Sequence, residues 1–155
     1  MSAATATSQQ GSDPAALIRR WFEEVWNQRR EAAIDELLAP DVVMHGIGRP
    51  SDSSIGSADF KKFYHAILAS FPNTRVTVDQ VAQEGDTAFA RWTVTGQHTG
   101  EGMGFPATNQ HLNVTGFSAC RVRDGKIVEA WNIWDQIGMA RQLGMLSGPA
   151  ATLFP

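Results

Sequence analysis

Four stretches in the C-terminal half, Thr74 to Gln83, Thr87 to Gly100, Gln110 to Arg123 and Lys126 to Asp135, are rich in valine, threonine and aromatic residues. Side chains that branch at Cβ or carry rings suit a pleated, half-buried surface, so each stretch reads as a strand. Between neighbours stand Glu84-Gly85-Asp86 and Asp124-Gly125, which supply the turn chemistry of tight hairpins. Long strands joined in this way form an antiparallel meander. They must also twist and curl, and a curled sheet needs apolar elements laid across its open side.

The N-terminal half supplies them. Asp13 followed by Pro14 is a helix start, with a carboxylate to accept from free N–H groups and a proline where no bond is lost. Leu17, Ile18, Trp21, Phe22, Val25 and Trp26 then recur at helical spacing, and Asn27 marks the break to a second helix over Arg30 to Leu38. Pro40 stops that helix, Asp41 to His45 reads as a short strand, and GIGRPSDSSIG reads as a loop. A third helix from near Ser57 carries Phe60, Phe63, Tyr64, Ile67, Leu68 and Phe71 and ends at Pro72. A short helix from about Gln136 to Leu143, stopped by Gly144, closes the domain. The pattern predicts an α+β fold, a cone-shaped curved antiparallel sheet covered by N-terminal helices around one pocket. Residues 1–12 are small and polar and read as a disordered tail, residues 13–147 as a single domain, and residues 148–155 as a C-terminal tail.

A formal charge of −3 with acidic and basic residues interspersed offers no stripe for phosphates, so nucleic acid is not an expected partner. The N-terminal stretch lacks the basic start and apolar run of a secretion signal, and no later segment approaches a membrane span, which predicts a cytoplasmic setting. One cysteine permits no internal disulfide. Histidines and carboxylates are scattered without metal-ligand spacing, and no glycine-rich loop opens a helix, so neither a metal nor a cofactor is expected.

If Asp124-Gly125 is a two-residue turn, Val122 opposes Ile127, Cys120 opposes Glu129, Ser118 opposes Trp131 and Val114 opposes Asp135. One face then carries Val114, Gly116, Ser118, Cys120, Glu129, Trp131, Ile133 and Asp135. The other carries Phe117, Ala119, Arg121, Val128, Ala130, Asn132 and Trp134, and a one-residue bulge would invert the assignment. Both faces are partly apolar. Helices are expected over the first and a partner subunit over the second, as a homodimer. Asp135, set among Trp131, Trp134 and Ile133, would lose hydration and hold a raised pKa suited to proton transfer; it also stands where it can cap the final helix. Glu129 reads as a solvated charge, His65 as surface, and His111 as a weak candidate. The expected substrate-binding set is Trp21, His45, Arg91 alternating inward with Phe89 and Thr93, Gln97, His98, Ser118 and Trp131. Cys120 reads as a packed small hydrophobe.

The strings WFEEVWN, LLAPDVVMHG, ASFPNTRVTVDQVAQEGD, FARWTVTGQHTGE, GFPATNQ and RVRDGKIVEAWNIWDQIGMARQLG, in that order, resemble the SnoaL-like polyketide cyclases from about Ala15 to Gly144. The resemblance implies the cone-shaped fold of nuclear transport factor 2, a dimer, a small-molecule substrate and no cofactor. It also implies an intramolecular aldol ring closure next to a carbonyl, with Asp135 as the acid and base. A ketosteroid isomerase is less similar, since the only tyrosine is Tyr64 in the third helix and Met44-His45-Gly46 offers no acid. A dehydratase, another isomerase or a binding protein of the same fold remain the alternatives.

Overall fold

The structure, a computed structural model, describes residues 13–47 and 53–153. Helix α1 (Pro14–Arg20) begins as its sequence dictates, with the Asp13 carboxylate accepting from the Ala16 N–H at 3.2 Å. It widens without interruption into a π-helical segment, Trp21–Asn27. Hydrogen bonds that span five residues enlarge the turn, and the segment presents Trp21, Phe22, Val25 and Trp26 to the interior. Asn27 ends it by pairing with a strand edge. Its side-chain amide donates to the Val76 carbonyl and its side-chain carbonyl accepts the Val76 N–H, both at 2.8 Å.

Helix α2 (Ala32–Leu37) runs straight into strand β1 (Leu38–His45), which therefore starts three residues before the predicted Asp41. Pro40 lies inside this strand. It is tolerated there because pairing to the neighbouring strand is interrupted between Leu38 and Val43, so no N–H is required of it. Part of the stretch read as a loop forms strand β2 (Ser53–Ile55), antiparallel to β1. Helix α3 (Ser57–Ser70) follows, and then the meander of β3 (Arg75–Glu84), β4 (Thr87–Gln97), β5 (His111–Arg123) and β6 (Lys126–Trp134). Helix α4 (Gln136–Gln142) is followed by Gly144 at φ +72°, and a short exposed helix α5 (Pro149–Leu153) occupies what the sequence suggests is a tail. The stretch 1–12, read as disordered, lies outside the described residues.

The six strands are ordered β2-β1-β6-β5-β4-β3. All neighbours are antiparallel except β1 and β6, which run parallel, so the sheet departs from the all-antiparallel reading at that junction. Helix α1 lies against β3 and β4, α3 against β1, and α4 against β5. The core they enclose includes Leu17, Ile18, Val25, Ile34, Phe60 and Tyr64, each almost wholly buried.

The β5–β6 hairpin decides what faces that core. Asp124 and Gly125, at φ +51° and +73°, form the predicted two-residue turn, and Val122 opposes Ile127 as read. Beyond it Arg121 opposes Glu129, which leaves Val128 unpaired. This bulge shifts every later pair: Cys120 opposes Ala130 and Ser118 opposes Asn132, not Glu129 and Trp131, while the Asp135 N–H donates to the Thr115 carbonyl. Ala130, Asn132 and Trp134 consequently turn to the concave side, and Glu129, Trp131 and Ile133 to the convex side. The unbulged register would bury the Glu129 carboxylate beside Cys120 without a partner, a cost that the extra residue removes. On β4 the expected alternation is also inverted. Ala88 and Ala90 are buried, whereas Phe89 and Arg91 are exposed.

Asn27→Ala removes both bonds to Val76 and bares the outer edge of β3. The expected loss is about 1–3 kcal/mol of unfolding free energy, measured by urea titration.

Candidate functional site

Between the helices and the concave face of the sheet lies a cavity with about 800 Å3 of empty space, its open mouth included. The π-helical segment contributes Trp21, Phe22 and Trp26, and α3 contributes Phe60, Phe63 and Ile67. From the sheet come Trp92, Val94, Leu112, Asn132 and Trp134. The rings pack on one another: Trp21 lies 5.1 Å from Phe60, Phe22 lies 5.8 Å from Trp92, and Trp26 meets Phe60, Phe63 and Tyr64 at tilted or edge-on angles. Offset and edge-on contacts of this kind hold aromatic walls in place and suit a flat apolar guest.

Among the described residues, none that lines the cavity carries a carboxyl, imidazole, amine, guanidinium or thiol group. Apart from the indole N–H groups of its tryptophans, the polar side chains among the described lining residues are Thr74, whose hydroxyl donates to the Phe71 carbonyl at 2.7 Å, and Asn132. Asn132 belongs to a chain of bonds behind the wall. The Trp92 indole Nε1 donates to Ser118 Oγ at 2.9 Å, Ser118 Oγ donates to Asn132 Oδ1 at 2.8 Å, and Asn132 Nδ2 donates to the His45 carbonyl at 3.0 Å. A smaller recess bounded by Ser118, Cys120 and Ala130 opens beside it and shares Trp21, Met44 and Asn132.

Of the residues read from the sequence, Trp21 lines the cavity and Ser118 lines the recess. The others lie elsewhere. Asp135 is exposed and its Oδ1 accepts from the Gly138 N–H at 2.7 Å, so it caps α4 and lacks the apolar surroundings expected of it. The bulge carries Trp131 and Ile133 to the convex face, away from the core, and Asp135 lies past the end of β6 as the N-cap of α4. Arg91 stands on the convex side opposite Phe117. His45 and Trp131 stack there at 5.6 Å, and Glu129, read as a plain solvated charge, is half-buried between His45 Nε2 at 2.9 Å and Arg121 at 2.8 Å. Gln97 donates to the Asn109 carbonyl at the start of the loop 98–110. His98 is fully buried between Phe71 and Phe105, and its Nδ1 accepts from the Thr108 N–H, which pins that loop. His65 and His111 are exposed. Among the cavity residues that sequence reasoning did not place in the site, including Trp26, Trp92 and Trp134, is Asn132. Its two-residue spacing from Ala130 and Trp134, set against the cost of burying Glu129, is the signal that identifies it.

Among the described residues no three His, Cys, Asp or Glu side chains converge as metal ligands, and no helix is long and apolar enough to cross a membrane. Burial pushes the Cys120 thiol up to about 11, against a weaker opposing pull from a backbone bond at Ala88. The folded protein thus keeps a proton that the unfolded chain loses first. Its contribution to stability is complete below about pH 8.5 and is lost as pH rises toward 11. A thiol-reactive disulfide reagent at pH 8 should label native Cys120 at least ~100-fold more slowly than the urea-unfolded chain.

The family model described as SnoaL-like polyketide cyclase matches residues 16–143. Among solved structures, IdmH from Streptomyces antibioticus, a candidate polyketide cyclase, is 32% identical, with 85% of this chain and 99% of that chain covered at a TM-score of 0.74. AclR from Streptomyces galilaeus, a candidate hydroxylase, is 30% identical, with 85% and 96% covered at a TM-score of 0.74. A candidate SnoaL-like polyketide cyclase from Jannaschia sp. CCS1 shares the fold at 19% identity and a TM-score of 0.76, over 95% of this chain and 100% of that one. Comparison with curated proteins finds no match.

Proposed function

Because the chain belongs to the SnoaL-like polyketide cyclase family, we propose that it is a cofactor-free enzyme that binds a flexible apolar chain in its aromatic cone and promotes intramolecular ring closure next to a carbonyl. The observation that carries this reading is the wall itself: among the described residues it is built mostly of rings and aliphatic groups, with no ionisable group among them. A cavity of that kind acts on an extended chain by forcing it to fold. Holding two reacting carbons in contact removes the entropy cost of bringing them together, which in favourable cases is worth about 7–11 kcal/mol of the barrier. An aldol closure transfers a proton from carbon to the new hydroxyl with no atom gained or lost, so no co-reactant is consumed. A hydrogen flanked by two carbonyls is acidic enough to leave to solvent at the open mouth.

The acid–base role implied for Asp135 needs a carboxyl in the cavity, and its exposed, helix-capping position does not favour it. Asparagine caps as well as aspartate, so Asp135→Asn separates the two roles. With a linear polyketone presented as its N-acetylcysteamine thioester, closure gives a product of unchanged mass and new retention time. The expected outcome is that Asp135→Asn closes it within twofold of the parent protein, while Val94→Trp, which fills the cone, stops it. Loss of closure in Asp135→Asn at an unchanged melting temperature would return the chemistry to that carboxylate. The same absence of ionisable groups also favours a second reading, a binding protein without turnover. Tight binding of the thioester with no acceleration of closure would select it.

The convex face of the sheet fits a second copy of the chain. Phe117 and Ile133 are 59% and 72% exposed there, around the His45–Glu129–Arg121 cluster, and contiguous apolar surface of this kind marks an interface. Sedimentation should give a dimer that Phe117→Lys converts to a folded monomer, and a monomeric parent protein would dismiss the interface.

A further inference from the structure

The bonds around Asn132 have a fixed polarity. An indole N–H can only donate and a peptide carbonyl can only accept, and these two groups end the chain that runs from Trp92 through Ser118 and Asn132 to His45. With the indole donating, Ser118 Oγ accepts and passes its own proton to Asn132 Oδ1. Turning the amide over would set Oδ1 against the His45 carbonyl oxygen, 3.0 Å away, and would leave the serine proton without an acceptor. The carbonyl of Asn132 is therefore spoken for, and one N–H of its amide is used on His45. The second N–H has no partner among the described residues. Neighbouring backbone holds the strand in place as well: Gly46, at φ +72°, passes so close that a Cβ there would stand 2.0 Å from the backbone carbonyl oxygen of Asn132.

Asn132 lines both the cone and the recess beside it. The free amide hydrogen thus belongs to a wall whose other polar groups, among the described residues, are the Thr74 hydroxyl and the tryptophan indole N–H groups. Asn132 is partly buried, and a guest that covers its amide without accepting from it leaves that donor cut off from water, so a guest gains most by bringing an acceptor. We propose that Asn132 is the hydrogen-bond donor that selects ligands by a carbonyl oxygen, and that Ser118 and Trp92 are positioning residues that hold its amide donor-side to the ligand. This rests on the cone being a small-molecule site, and it assigns that site a preference for a neutral ring system bearing one acceptor.

1-Tetralone and tetralin share a bicyclic skeleton and differ by a carbonyl in place of a methylene. Binding of each to the full chain can be followed by quenching of the cavity tryptophans, and the bound ketone also reports through its infrared carbonyl stretch. The expected result is that 1-tetralone binds about tenfold more tightly than tetralin and that its stretch moves to lower wavenumber than in hexane. Asn132→Leu should bring the two affinities within twofold of each other and return the stretch to its hexane position. Ser118→Ala removes one of the two constraints on the amide and leaves the His45 carbonyl as the other, so the carbonyl band should broaden and the preference fall to about threefold, with tetralin affinity held within twofold. A purely structural role for Ser118 would weaken both ligands alike and leave the band unchanged. Equal affinities for the two compounds in the parent protein overturn the proposal while leaving the small-molecule cavity intact, and this comparison needs no variant to fold. A preference that survives in Asn132→Leu also overturns it. Binding of neither compound would overturn the cavity reading itself and the proposal with it.

Discussion

Val128 has no partner across the β5–β6 hairpin, and the composition of the cavity follows from that one unpaired residue. A strand alternates its side chains strictly, so a single extra residue exchanges the two faces of everything beyond it. Without it, Glu129 would press its charge into the core beside Cys120 and Trp134 would leave the cone. With it, the charge moves to the convex side, where His45 and Arg121 engage it, and an amide takes the inner position. The cost of desolvating a carboxylate sets the register here by penalising the alternative. The character of the site, apolar with one oriented amide, is a by-product of where a carboxylate could not go.

The helical wall shows a comparable dependence. Packing three bulky rings from one short segment against α3 and the sheet asks more of a helix than regular α geometry supplies, and the π-helical stretch Trp21–Asn27 provides the wider turn. Its end is fastened by Asn27 to Val76 and its flank by Glu24, whose carboxyl is held down to about 2 by hydrogen bonds from Arg20 and Arg30. Tyr64 adds a buried bond to the Val25 carbonyl at 3.1 Å. The widened backbone is thus tied at several points to the elements that it faces.

Much of the architecture was legible in the residues. The helix start at Asp13-Pro14, the break at Asn27, the aromatic stripe of α3, both hairpin turns and the α+β class all follow from local chemistry, and they stand in the structure. What was not legible depended on contacts made far away in the chain. Pro40 suggests a helix stop and a late strand start, yet it sits in β1 because its partner strand makes no demand on its nitrogen there. The inner face of β6 was misread for the same reason: Val128 carries no local mark of a bulge, and its role appears only when the burial of Glu129 and Asn132 is compared. Arg91 shows the limit on β4, where inward and outward positions both carry apolar residues and alternation alone does not choose between Ala90 and Arg91.

The parallel pairing of β1 with β6 joins segments far apart in sequence, and the Asn132–His45 bond across it spans 87 residues. During synthesis the helices and β1 emerge long before the strand that completes them. Until residues 126–134 leave the ribosome, β1 has only the short β2 at its side and the aromatic stripes have no finished sheet to cover. Contacts of such separation slow folding and leave sticky intermediates exposed in the meantime. The last strand to be made therefore both closes the sheet and installs the amide in the cavity, so a nascent chain gains its fold and its candidate site in one late event.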